Sequence, residues 1–240
     1  MCLLEQWFTS GSDMIDFKGS HFPSSVVLCA VFFHVRYAAS YRDLEEIMAE
    51  RGVNIDHATL NRWVVKFSPL VAHQARLRKQ PAVRSWNMDE TYVKVRGQWM
   101  YLYRAVDKHG ETVDFLLSER RDTAAAKRFF RQAIAANGAP EKVAIDKSGS
   151  NLAGLRWQNA MLKLSGNGRL IEIRQSKYLN NIVEQDHRAI KRLTRQIQSF
   201  GAFHSAAATL QGIEAAHMIR KGQFDQNGMT GFQQFAALAA

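Results

Sequence analysis

Three acidic residues stand where carboxylates can gather around a cation. Asp89 interrupts the apolar run Trp86 to Val95, Asp146 follows the short apolar run Lys142 to Ile145, and Glu184 lies near the start of a helical stretch that Asn180 or Asn181 could cap. An acid inside a strand is costly to bury unless it is paired or bound to a metal. By alternation Asp89 shares a face with Thr91, Val93 and Val95, so an interior Asp89 requires a partner. Asp146 occupies the carboxyl end of its strand, where open α/β sheets place ligands. Taken singly, an Asp at a strand end is an ordinary turn or cap residue, and a Glu in a first helical turn is an ordinary dipole partner. Together the three suit phosphodiester chemistry, in which acidic oxygens gather around two Mg²⁺ ions about 3.5–4 Å apart. Mg²⁺ takes a few carboxylates together with water and substrate phosphate. Without metal, three such acids repel one another, and at least one pKa must rise. Nearby acids read differently. Glu90 points to the opposite face from Asp89, Asp107 precedes a turn, and Asp186 lies about 200° around the helix from Glu184.

The elements that must position these acids follow from pattern. Trp86 to Val95 and Trp99 to Val106 read as strands joined at Arg96-Gly97, and Thr112 to Leu117 reads as a third, after Lys108-His109-Gly110. Helix and strand then alternate: a helix from Asp122 to Ala136, a strand from Lys142 to Ile145, a helix from Leu152 to Leu164, a strand from Leu170 to Ile173, and helices from Asn181 to about Gln198 and from Ser205 to Lys221. This order predicts an α/β domain with a mixed sheet. By analogy, the order is that of a ribonuclease-H-like fold.

Ahead of that block the pattern is helical. Ser40 with Asp43 makes a capping box, Leu44, Ile47, Met48 and Arg51 share a face, and Gly52 stops the helix. Asp56 caps a second helix with the stripe Leu60, Trp63, Val64 and Phe67, and Pro69 is read as following its end. Two short helices joined by Gly52 to Asp56 suit a helix-turn-helix, whose second helix enters the major groove. Thr59, Arg62 and Lys66 stand opposite the stripe with Asn61 at its margin, and could reach bases or phosphates. A plain helical hairpin gives the same pattern.

Charge narrows the partner. Lys and Arg outnumber Asp and Glu by 32 to 22, a surplus that implies a polyanion. The longest apolar run, Val26 to Val35, is too short to span a bilayer. The start MCLLEQWF lacks the basic region of a secretory signal. Cys2 and Cys29 allow at most one disulfide, which suits a reducing cytoplasm.

The stretches WNMDETYVKVRGQWMYLYRAVDKHG, AIDKSGSN and KYLNNIVEQDHRAIKR resemble the DDE transposases of the bacterial IS-six family. YRDLEEIMAERGVNIDHATLNRWV resembles that family's DNA-binding segment, and GIEAAHMIRKGQ its C-terminal helix. The resemblance runs from Phe17 to Gln223 and does not include the first sixteen residues. It implies that Asp89, Asp146 and Glu184 are the catalytic, metal-binding triad, holding two Mg²⁺ with Mn²⁺ as a substitute. It also implies that Lys191, seven positions after Glu184, sets a cation beside bound phosphates. Arg188, Lys191, Arg192 and Arg195, and the stretch with Arg76, Arg78 and Lys79, read as phosphate contacts. The implied enzyme binds the terminal inverted repeats of an insertion sequence and cuts and rejoins them with target DNA. One metal would activate water and then a 3′-hydroxyl, and the other would stabilise the leaving oxygen. Handling two ends implies at least a dimer, at the bacterial nucleoid and without a membrane. The expected layout is an unmatched segment (1–16), a small all-α helix-turn-helix domain (17–72), a basic linker (73–84), the ribonuclease-H-like domain (85–200) and a C-terminal helical segment (201–240). Two other functions fit parts of the pattern: another nuclease or integrase of the same fold, and a regulator that uses only the helix-turn-helix.

Overall fold

The computed structural model describes residues 15–166, 169–176, 181–197, 200–224 and 228–240. In chain order these form α1 (Ser24–Tyr37), α2 (Tyr41–Ala49), α3 (His57–Arg78), β1 (Ser85–Val95), β2 (Gln98–Asp107), β3 (Thr112–Ser118), α4 (Thr123–Asn137), β4 (Lys142–Ile145), α5 (Gly149–Leu164), β5 (Glu172–Gln175), α6 (Asn181–Gln196), α7 (Phe203–Lys221) and α8 (Gly231–Ala237). They divide into two compact units. One joins the residues up to Lys79 to those from Arg192 onward, and the other runs from Gln80 to Lys191.

The first unit is helical. Ser40 and Asp43 exchange the two hydrogen bonds of a capping box at the start of α2, at 3.1 and 3.0 Å. Asp56 caps α3 by accepting from the Thr59 amide. Gly52 supplies a positive φ in the turn between them. Contrary to the sequence expectation, α3 does not stop before Pro69 but runs on to Arg78. A proline inside a helix loses a hydrogen bond. Here Phe67, Val71 and Ala75, one turn apart and fully buried, extend the apolar stripe through it, and α3 packs along α7. The first six residues of the expected basic linker are therefore helix. Arg78 donates to the carbonyls of Ala237 and Ala240, and Lys79 is buried; neither presents the free phosphate contact expected of a linker. The C-terminal segment is part of the same core. It also gains α8, which the sequence pattern missed, capped by a Thr230–Gln233 box. Ile15 is buried and donates to Ala239; residues 1–14 lie outside the described residues.

The second unit is a five-stranded sheet in the order β3-β2-β1-β4-β5. The first three strands form an antiparallel meander, while β4 runs parallel to β1 and β5 parallel to β4. This is the ribonuclease-H-like arrangement. The β1–β2 turn is a two-residue loop in which both Arg96 and Gly97 have positive φ, the geometry that matches strand twist in a hairpin. One sheet face buries Trp86, Met88, Tyr103, Ala105 and Val113 against Phe129 and Phe130 of α4 and Leu155 of α5. On β2 the alternate residue Arg104 is fully buried and pairs with Asp186 of α6 at 2.7 Å. β5 begins two residues later than its pattern predicts. Asn159 brackets the backbone of Ile171, accepting from its amide at 2.8 Å and donating to its carbonyl at 2.9 Å, so the ladder opens only at Glu172. Asn180, one of two expected caps of α6, and Gln198, its expected end, lie outside the described residues.

Three helices of the helical unit approach closely at one glycine among the described residues. A Cβ on Gly212 of α7 would stand 2.7 Å from Val35 Cγ1 of α1 and from Ser68 Oγ of α3. Gly212→Ala should therefore destabilise the protein by about 1–3 kcal/mol, although alanine is the better helix former. Urea unfolding tests this, and an unchanged midpoint would mean that the three helices can part without cost.

Candidate active site

Two acids meet because two strands run parallel. Asn87 of β1 pairs with Ala144 of β4, and continuing that register two residues sets Asp89 level with Asp146. Carboxylate oxygens of Asp89, Glu90 and Asp146 all lie within 4.8 Å of one another. Glu90 corrects the sequence reading. It does alternate with Asp89 along the strand, but its carboxylate reaches the same cluster and is almost fully buried there.

The cluster has its own support. Arg121, just before α4, pairs with Glu90 at 3.2 Å and with Asp146 at 3.1 Å. Asn151, buried in the first turn of α5, donates to Glu90 Oε2 at 3.1 Å and to Asp146 Oδ1 at 3.4 Å. The Ser148 amide donates to Asp146 Oδ1 at 3.0 Å. Pattern reading missed Arg121 and Asn151. The available signals were the acid doublet Asp89-Glu90 and the charged run Glu119 to Asp122 at the end of β3.

Electrostatics follow from the crowding. Burial, and then the negative charges of Glu90, Asp146 and Glu184, push the Asp89 carboxyl up to about 7, with an opposing contribution from the Glu90 amide. Burial opposes the charge on Arg121, but Glu90 and Asp146 more than offset it and hold the guanidinium protonated. The donor set fits a hard divalent cation. It offers carboxylate oxygens close enough to share an ion, with an excess of negative charge that Arg121 offsets in part.

Glu184 lies exposed in the first turn of α6. It is not in the 4.8 Å group, yet its charge is one of those felt at Asp89. Asp186, read from sequence as uninvolved, anchors α6 through Arg104 with both side chains nearly inaccessible. His187 is buried beside that pair. Burial, then the positive charge of Arg104, and lastly that of Lys191, hold it down at about 3, against the pull of Asp186. Lys191 is half-buried, while Arg188, Arg192 and Arg195 are exposed at spacings of four and three, one helical face. In the helical unit Thr59 is turned to Asp56, donating to Oδ2 at 2.7 Å. Arg62 donates to the Thr59 hydroxyl at 2.6 Å, and Lys66 donates to the Lys18 carbonyl and lies over the Phe67 ring. Asn61, Arg62 and Lys66 are exposed.

The family model for the DDE domain of IS240-type transposases matches residues 83–223. Over 205 residues, 85% of this chain, the sequence is 38% identical to the transposase for insertion sequence-like element IS431mec of Staphylococcus aureus and covers 88% of that protein. The same figures hold for the Staphylococcus aureus transposase for insertion sequence element IS257 in transposon Tn4003. The chain belongs to the IS-six family of DDE transposases. Among solved structures it is similar to the catalytic core domain of BIV integrase, at 17% identity and a TM-score of 0.43, covering 65% of this chain and 95% of that one. It is also similar to the HTLV-2 integrase catalytic core domain, at 18% identity and a TM-score of 0.42, covering 56% and 86%. As a DDE transposase the chain acts on DNA, and its acid cluster belongs to a family that uses a divalent metal. Among the described residues no helix is long and apolar enough to cross a membrane.

Burial of Asp89, with the acids around it, makes the metal-free transposase sensitive to pH. The unfolded chain loses the Asp89 proton near the ordinary aspartate value of 3.8 and the folded chain near 7. Between those values the folded state binds more protons, so stability should fall as pH rises through that window. Asp89→Asn should flatten the fall in melting temperature in EDTA. A fall of the same size in the variant would place the titrating group elsewhere.

Proposed function

We propose that this transposase recognises the terminal inverted repeats of its insertion sequence through α2 and α3, and cuts and rejoins DNA there with two Mg²⁺ ions. Mn²⁺ would substitute. The observation that carries the reading is the meeting of Asp89 and Asp146, with Asp89 held at about 7 by burial and its acidic neighbours. A carboxyl kept protonated by burial and acidic neighbours is one that a cation would ionise.

Each residue then has a part. Asp89 and Asp146 hold metal from the sheet, and Glu184 completes the set from α6. Bound there, the ions supply Lewis acidity to the attacking and leaving oxygens. Asn151 and the Ser148 amide fix the Asp146 carboxylate. Arg104 and Asp186 fix the helix that carries Glu184, and Lys191 stands two turns along that helix as the cation beside the phosphates. Arg188, Arg192 and Arg195 contact DNA backbone. In the helical unit the exposed Asn61, Arg62 and Lys66, with Thr59, enter the major groove. Two copies at least would handle the two ends, in the cytoplasm at the nucleoid.

Glu184→Gln keeps the shape of the side chain and deletes its charge. It should abolish Mg²⁺-dependent cleavage of element-end DNA and leave folding and end binding intact. Cleavage at near wild-type rate would remove Glu184 from the site. Mg²⁺ should raise the melting temperature, and the Asp89→Asn, Asp146→Asn double variant should lose that rise; a rise that persists would place the metal elsewhere.

Recognition has a separate test. Arg62→Ala should weaken binding of end DNA and reduce its salt dependence by about one phosphate contact. Equal affinity and an equal salt slope would move recognition off α3.

A further inference from the structure

Beyond the acid cluster, the β1–β2 hairpin presents an aromatic surface whose outer rings, Tyr92 and Trp99, the fold leaves exposed, while Tyr101 is partly buried against the core. Past Glu90, the next residues on the same face of β1 are Tyr92 and Lys94, and the residues paired with them on β2 are Tyr101 and Trp99. Tyr92 packs on Tyr101 with centroids 5.5 Å apart and meets Trp99 edge-on at 6.3 Å. The Lys94 ammonium lies 5.8 Å from the centre of the Trp99 ring. Burial would be the ordinary fate of such rings, yet Tyr92 is 48% exposed and Trp99 60% exposed. Lys94 and the turn residue Arg96 are exposed beside them.

The position of this surface limits what would cover it. Two residues along a strand are about 6.8 Å, so Tyr92 is one step from Glu90. Its phenol is near enough to Arg121 to be felt electrostatically by the guanidinium. The platform thus starts where the carboxylates end. An intact duplex meets a protein largely through phosphates and has no use for bare ring faces, whereas unstacked bases do. Cations set among the rings complement the backbone that links such bases.

We propose that Tyr92, Tyr101 and Trp99 form a stacking platform for unpaired bases of the DNA strand beside the scissile phosphate, with Lys94 and Arg96 contacting its backbone. The inference rests on the DNA-cutting reading above and names the strand conformation which that site takes.

The test compares a labelled oligothymidylate with a duplex of equal length, by fluorescence anisotropy in Mg²⁺, using the full chain. Because both positions are exposed, Tyr92→Leu and Trp99→Leu should fold normally. Each should weaken oligothymidylate binding roughly tenfold or more and leave duplex affinity unchanged, while Tyr92→Phe and Trp99→Phe keep wild-type affinity. Equal losses on both DNAs, or no loss on either, overturn the platform. Sedimentation covers the remaining occupant: a dimer that dissociates in the Leu variants, with oligothymidylate binding unchanged, would make this face a contact between copies. Element-end DNA keeps the two readings apart. If wild-type protein cleaves it and the Leu variants bind oligothymidylate normally, the platform alone fails; if wild-type protein binds neither DNA, both fail.

Discussion

Negative charge confined where β1 passes the carboxyl end of β4 is the constraint on which the rest of this structure depends. Asp89, Glu90 and Asp146 bring carboxylates within 4.8 Å of one another, and such a group is unstable without a cation or a shared proton. The chain uses both. Arg121 spans Glu90 and Asp146, and Asp89 keeps its proton to about 7. Asn151 supplies hydrogen bonds to the two acids that Arg121 pairs. What is left is an acid whose ionisation a divalent ion would favour.

Fold and site are linked through two devices. The parallel pairing of β1 with β4 sets Asp89 and Asp146 at one level. The Arg104–Asp186 pair ties α6 to the middle of β2, directly across the ladder from Asp89. Removing one partner of such a buried pair commonly costs about 3–5 kcal/mol, because the other charge is left uncompensated, and the pair lies on the helix that carries Glu184. The same helix carries exposed Arg188, Arg192 and Arg195.

Much of this was legible in the sequence, because alternation and capping are local. The meander, the short strand ending at Asp146, the capping box at Ser40 and the Asp56 cap all follow from neighbouring residues. What escaped depends on partners distant in the chain. Glu90 faces away from Asp89 by alternation, and its carboxylate is held in the cluster with Arg121 and Asn151, which are distant in sequence. Asp186 looks like a solvent-side acid until Arg104, itself in an apolar strand, is placed beneath it. Pro69 reads as a stop until the burial of Val71 and Ala75 is known. The delayed start of β5 depends on Asn159, a residue of the preceding helix.

Whether Asp89 and Asp146 jointly hold a divalent ion can be read from anomalous diffraction of crystals of the protein soaked in Mn²⁺. A manganese peak is expected in contact with carboxylate oxygens of both residues, with Arg121 withdrawn from Asp146. Manganese bound elsewhere, with the Arg121–Asp146 pair still closed, would mean that these two acids do not share an ion.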